Sequence, residues 1–257
     1  MNDHSLITAI TSYWDEHIHD LAIATHPVGT PGFFQELDDY RYDKLRYLPH
    51  LVDFAAYRDK TLLEVGCGAG IDLVHFARAG AFVSGVDLSH TAIELARQNF
   101  AQRGLRANLC VMNGEALEFG NGMFDVVYAH GVLQYTADAQ KMVNELHRVL
   151  KPGGEAILMV YNKYSWLNLI ARLTKVPLEH EDAPVLRKYS IKEFKQLIEP
   201  FATHHIIPER FPVKTRLHAG SKGKIFNTFF VGTFNLLPKP LVRPFGWHLV
   251  GFARKGT

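Results

Sequence analysis

Three glycines at alternate positions, Gly66, Gly68 and Gly70, follow the apolar run Leu62 to Val65 and precede a helical pattern that opens at Ile71. A strand that turns this sharply into a helix leaves bare backbone for a ligand, because a side chain on those α-carbons would obstruct it. Glu64 stands two residues before the first glycine. About twenty residues after the loop, a second apolar run ends in Asp87 and Leu88. In a doubly wound parallel sheet Asp87 would lie at the carboxyl end of the neighbouring strand, where a carboxylate accepts both hydroxyls of a ribose. The chemistry implied is recognition of an adenosine-containing ligand.

The dinucleotide fingerprint is G-x-G-x-x-G, whereas the spacing here is G-x-G-x-G, and the charge of Glu64 would repel a pyrophosphate. The segment E-V-G-C-G-A-G, with D-L-S at 87–89, closely resembles the class I S-adenosylmethionine-dependent methyltransferases, and within them the small-molecule and quinone methyltransferases of the type 11 group. The resemblance covers residues 58–160 well and the flanks poorly. It implies S-adenosyl-L-methionine as cofactor, held by Glu64, Gly66, Gly68, Gly70, Asp87 and Leu88. Asn113, Gly114 and Glu115 would follow the third strand, with Asn113 in the place of the family's adenine-binding aspartate. An amide oxygen accepts the same hydrogen bond without the charge. The run A-H-G-V-L-Q-Y at 129–135 would put His130 beside the methionine portion of the cofactor. Gln134 and Tyr135 stand where many relatives carry histidines. His130 and Tyr135 are the candidate catalytic residues, with Tyr161 a third, although each could equally only orient ligands.

Positioning these residues requires a regular strand–helix alternation, and the chain supplies it from Lys60 onward. Strands are expected at 61–65, 82–86, 107–112, 124–129, 155–160, 204–207 and 247–253, with helices at 71–79, 91–102 and 139–150 among the first five. Ser89 or Thr91 would cap the second of these helices, and L-K-P-G-G would stop the third. A capping box of Ser190 and Glu193 opens a helix that runs to Ile198. The fold class is therefore α/β: a doubly wound, Rossmann-like, seven-stranded and mostly parallel sheet, whose last strand the resemblance makes antiparallel.

Residues 1–57 precede the alternation as helical segments at 5–22, 33–48 and 49–57. They form either a lid, with Tyr13, Trp14 and Phe34 contacting substrate, or simple packing against the domain at 58–257. Arg41 and Arg46 would either hold an acidic substrate or face solvent. An insert at about 212–245, rich in phenylalanine between Phe226 and Phe234, would touch a membrane surface peripherally, cover the pocket or join two copies in a homodimer.

Composition removes other classes. With 28 basic against 26 acidic residues no nucleic-acid footprint is expected. Fourteen histidines show no ligand spacing, so no metal site is expected. Two cysteines, and an amino terminus without a secretory pattern, suggest a cytoplasmic protein. The reaction expected is in-line methyl transfer to a small-molecule acceptor. The alternatives are a lipid-like or quinone acceptor at the membrane surface, and a non-catalytic nucleotide-binding module or NAD enzyme.

Overall fold

The computed structural model describes residues 3–18, 23–175, 178, 180–212, 228 and 231–257. Seven strands form one sheet: β1 (Thr61–Val65), β2 (Phe82–Asp87), β3 (Asn108–Val111), β4 (Phe124–His130), β5 (Leu150–Tyr161), β6 (Thr203–Glu209) and β7 (His248–Arg254). Their order is β3-β2-β1-β4-β5-β7-β6. The pairs among the first five are parallel, while β7 runs antiparallel to both β5 and β6. The expected fold class is the one observed. β1, β4 and β5 are flanked on both sides, and their near-continuous apolar burial is what a covered parallel sheet requires.

The leader contributes α1 (Asp3–Glu16), α2 (Pro31–Lys44) and the single turn α3 (Leu48–Leu51). The expected helix at 49–57 breaks into α3 and a 3₁₀ turn at Phe54–Tyr57 that Asp53 caps. Helices α4 (Ile71–Arg78), α5 (His90–Gln102) and α6 (Ala139–Val149) follow β1, β2 and β4. Ser89 is the cap of α5, its hydroxyl accepting from Ala92 N at 3.0 Å. The apolar stripe of α6 is buried at Met142, Val143, Leu146 and Val149. Helix α6 ends one residue early, because L-K-P-G-G is not a free turn but the start of β5. Leu150 pairs with Phe124, and the register slips before Glu155 meets Val126.

Beyond β5 lie α7 (Trp166–Thr174), α8 (Ile191–Leu197) and, from the insert, α9 (Val231–Leu236) and α10 (Lys239–Val242). The capping box of Ser190 and Glu193 is formed as expected. Phe226, Phe229 and Phe230 lie outside the described residues.

Polar and apolar contacts with α4, α5 and the turns before them pin the leader to the domain. Asp15 accepts from the Ser89 hydroxyl at 2.7 Å at the amino end of α5, and Asp38 meets His75 at 2.7 Å. Between them Ile18, Phe33, Phe34 and Leu37 form a buried cluster with Ala69 and Leu95. No helix among the described residues is long and apolar enough to cross a membrane.

Candidate functional site

The carboxyl ends of the parallel strands open into one cavity, and leader residues Ile10, Trp14, Leu37 and Arg41 help wall it. At the turn after β1 the backbone is left-handed at Gly66 (φ 71°) and Gly68 (φ 53°). A Cβ on Gly66 would lie 2.2 Å from Val132 Cγ2, so the loop after β4 closes on bare backbone there. A Cβ on Gly68 would meet nothing within 4 Å. Gly68 thus keeps open space beside the cavity and needs glycine for its φ.

Asp87 ends β2 in the cavity wall, where its carboxylate accepts from Gly68 N at 2.9 Å and Ser89 N at 3.0 Å. Burial pushes its pKa up against those two bonds. Glu64 is buried in the same wall, and its Oε2 has no hydrogen-bond partner. Burial, then the neighbouring Asp72 and Asp87 charges, hold its carboxyl well above the usual range. The unpartnered Glu64 oxygen beside the Asp87 carboxylate favours an occupant that brings a polar or cationic partner to it.

Leu88, Asn113, Gly114 and Glu115 also face the cavity. The Asn113 amide oxygen accepts from Glu115 N at 2.9 Å, closing its own turn. The Glu115 carboxylate is occupied by the Thr136 hydroxyl and by Asp138 N at 3.0 Å, which braces the loop after β4. Trp14, Tyr135 and Tyr161 line the opposite side, where the Tyr135 and Tyr161 hydroxyls lie 3.4 Å apart and Trp14 packs edge-on to Tyr135.

Three expected contacts are corrected by the geometry. Gly70 is outside the cavity wall: it precedes α4 at φ 73°, and its missing Cβ makes room for Ala96 and Phe100 at 3.3 Å. Phe34 is fully buried in the leader's anchoring cluster, so it packs rather than contacts a ligand. Tyr13 lies outside the wall too, its hydroxyl donating to Asp182 at 2.8 Å. His130 does line the cavity, but both of its ring nitrogens are already engaged, by Arg41 at 3.3 Å and by Tyr47 at 3.1 Å. Burial, and then the Arg41 charge, push its pKa down to about 3. That leaves it poorly placed as a proton acceptor.

Several residues escaped the sequence reading. Asp72, in the first turn of α4, is buried and takes both arms of the Arg41 guanidinium. It also accepts from the Tyr128 hydroxyl at 2.7 Å and the Tyr42 hydroxyl at 3.2 Å. Arg41 is therefore a buried tether rather than a solvated side chain, whereas Arg46 pairs with Asp43 at the surface. His248 at the start of β7 and Arg210 just after β6 complete the wall. The acidic Asp72 inside an otherwise apolar helical face was the one local signal available. Nothing around positions 47, 210 or 248 announces a site.

A family model described as a methyltransferase domain matches residues 63–158. Over 159 residues the chain is 30% identical to a probable chloroplastic tocopherol O-methyltransferase of Oryza sativa subsp. japonica, covering 58% of this chain and 42% of that protein. Over 110 residues it is 33% identical to a ubiquinone biosynthesis O-methyltransferase of Pseudomonas paraeruginosa, covering 42% and 47%. The chain thus spans about half the length of the curated relatives it matches. Among solved structures it is similar to the Burkholderia thailandensis 1,6-didemethyltoxoflavin-N1-methyltransferase, with a TM-score of 0.60 and 17% identity over 100% of this chain and 92% of that one. A possible histamine N-methyltransferase from Thermotoga maritima aligns with a TM-score of 0.54 and 19% identity, over 87% and 97%. At these identities the two structures speak to the fold.

Proposed function

We propose, from the match of residues 63–158 to a family model described as a methyltransferase domain, that the chain is an S-adenosylmethionine-dependent methyltransferase of a small-molecule acceptor. The observation that carries this reading is the open backbone at Gly68, set between the Asp87 carboxylate and the unpartnered oxygen of Glu64. Those groups suit a ligand that is a ribonucleoside at one end and cationic at the other.

In this reading Asp87 accepts the ribose hydroxyls, Leu88, Asn113 and Gly114 border the adenine, and Glu64 faces the amino-acid portion. When bound, the cofactor supplies a methyl group on a sulfonium that departs as a neutral thioether. The chain's own task is then to hold the acceptor in line and to keep water out. Trp14, Tyr135 and Tyr161 form the aromatic wall suited to an acceptor, and α1 and α2 act as the cover. The free thiols Cys67 and Cys110 support a reducing, cytoplasmic setting.

Calorimetric titration with S-adenosylhomocysteine and with NAD tests the assignment. Binding of the first in preference to the second is expected, and preference for NAD would overturn it.

A second reading, a lipid-like or quinone acceptor met at a membrane surface, is favoured by the exposed leucines of α7 and of the insert: Leu169, Leu173, Leu236 and Leu241. Trp166 of α7 contacts Phe234 of α9, so the two elements adjoin. Absence of vesicle association in a flotation assay, with anionic and with neutral lipid, would end that version.

A further inference from the structure

One wall of the cavity holds a hydrogen-bond chain that begins and ends on an arginine. Arg41 Nη2 lies 3.3 Å from His130 Nδ1. Tyr47 Oη lies 3.1 Å from His130 Nε2 and 2.6 Å from His248 Nδ1. Arg210 Nη1 lies 3.1 Å from His248 Nε2. A guanidinium can only donate, so His130 Nδ1 and His248 Nε2 must accept. Each neutral imidazole then carries its proton on the other nitrogen, and both N–H groups point at one phenol oxygen. Burial and the flanking arginines keep both rings uncharged. The Tyr47 oxygen therefore accepts twice, and its own proton has no acceptor among the described residues.

Arg210 adds a second unfilled capacity. It is half-buried in the cavity wall, donates to His248, and has no carboxylate partner among the described residues. Its backbone sits at φ 59°, an unfavourable region for arginine, and is held there by Trp166 Nε1 and Trp247 N donating to its carbonyl at 2.9 and 3.3 Å.

The sheet order places these groups away from the cofactor cradle. His248 pairs with Tyr161 at the end of β5 and with Glu209 at the end of β6, and Arg210 follows directly. The glycine turn and Asp87 stand on β1 and β2, across β4. The cavity thus carries the Glu64 and Asp87 carboxyls at one end and the Arg210 guanidinium at the other, with Asp72 of the wall already paired to Arg41.

We propose that the methyl acceptor is an anion when bound, its acidic oxygen held by the Arg210 guanidinium in the cavity wall, so that Arg210 sets acceptor specificity. This rests on the methyltransferase reading. A carboxylate or an ionised phenol or enol meets the need, because each brings oxygen lone pairs to a cationic donor. A neutral acceptor would leave Arg210 half-buried without a counter-charge.

The test uses the protein saturated with S-adenosylhomocysteine and titrated with benzoate, with its uncharged isostere benzamide, and with 4-nitrophenol above and below its own ionisation. The wild type is expected to favour the anion of each comparison by about tenfold or more. Arg210→Gln should bring that preference to within about twofold, and Arg210→Lys should keep part of it. If Arg210→Gln does not fold, Arg210→Gly, which accepts the left-handed backbone, gives the same reading. Benzoate and 4-nitrophenolate binding no better than their neutral forms would overturn the proposal. So would loss of S-adenosylhomocysteine affinity in Arg210→Gln without loss of anion preference, since Arg210 would then serve the cofactor. Failure of the wild type to bind S-adenosylhomocysteine would instead sink the methyltransferase reading and this proposal with it.

Discussion

Single side chains at the glycine turn separate folding from binding. Gly68→Ala adds a methyl group to open space at the cost of a left-handed alanine, about 1 kcal/mol. It is expected to fold while losing affinity for S-adenosylhomocysteine. Gly66→Ala must push Val132 aside and should lose stability as well. Denaturant midpoints measured beside binding isotherms distinguish the two, and unchanged affinity in Gly68→Ala would show that Gly68 is not beside the ligand. Asp87→Ala should weaken the same binding by about tenfold or more, and by more than Asn113→Ala, because a charged acceptor for two hydroxyls is lost. Comparable small losses would place the ribose elsewhere. The turn, Glu64 and Asp87 were legible because their chemistry depends on neighbours in sequence. Gly70 was misread because its φ is that of a binding glycine while its empty side faces a helix.

At the scale of elements, the leader is tied to the domain by charge as well as by apolar packing. Arg41 of α2 is the counter-ion of Asp72 in α4, so Arg41→Met leaves a carboxylate buried without a cation. Loss of about 3–5 kcal/mol is expected in chemical denaturation. Adding Asp72→Asn removes the stranded charge and should recover part of that loss. A single variant as stable as the wild type would show that α2 does not depend on this pair. Weaker coupling is expected from Asp15→Ala, about 1 kcal/mol, read as faster amide exchange confined to α1. Helix and strand periods identified most of these elements, and the Ser190–Glu193 box was visible as a pattern. The end of α6 and the early start of β5 were not, because pairing of Leu150 with Phe124 overrides a local stop signal.

For the whole molecule, acid sensitivity follows from the histidines at the strand ends. His130 titrates at about 3 in the folded chain against an ordinary 6.5, and His248 is depressed in the same direction. At His130 the unfolded chain therefore binds more protons between those values, so the contribution of this histidine is full above pH 6.5 and is lost as pH falls toward 3, whereas Glu64 and Asp87, whose carboxyls burial holds up, act in the opposite direction. Inside that window His130 contributes a slope of about 1.4 kcal/mol per pH unit, and His248 acts in the same direction. Asp72, held low by Arg41 although burial acts against it, adds a further loss below the ordinary carboxylate range. Between about pH 7 and about pH 4.5, His248→Asn should gain stability relative to the wild type as pH falls, read from denaturant midpoints of the two proteins. An unchanged slope in that variant would mean that His248 is not held neutral.

What the sequence settled by itself was what local period and local turn chemistry carry: the α/β alternation, the glycine turn after β1, the carboxylate at the end of the second strand and the helix caps. Only the tertiary structure decided which far-separated polar residues share a wall. His130 of β4, Arg210 just after β6 and His248 of β7 line it, with Tyr47 from the turn before α3 bonded behind them, up to 201 positions apart, and they meet because the antiparallel β7 begins where the parallel strands end. No spacing rule reaches across such distances. Hydrogen bonds between strand ends are set by sheet order and register, and these exist only once the core has formed.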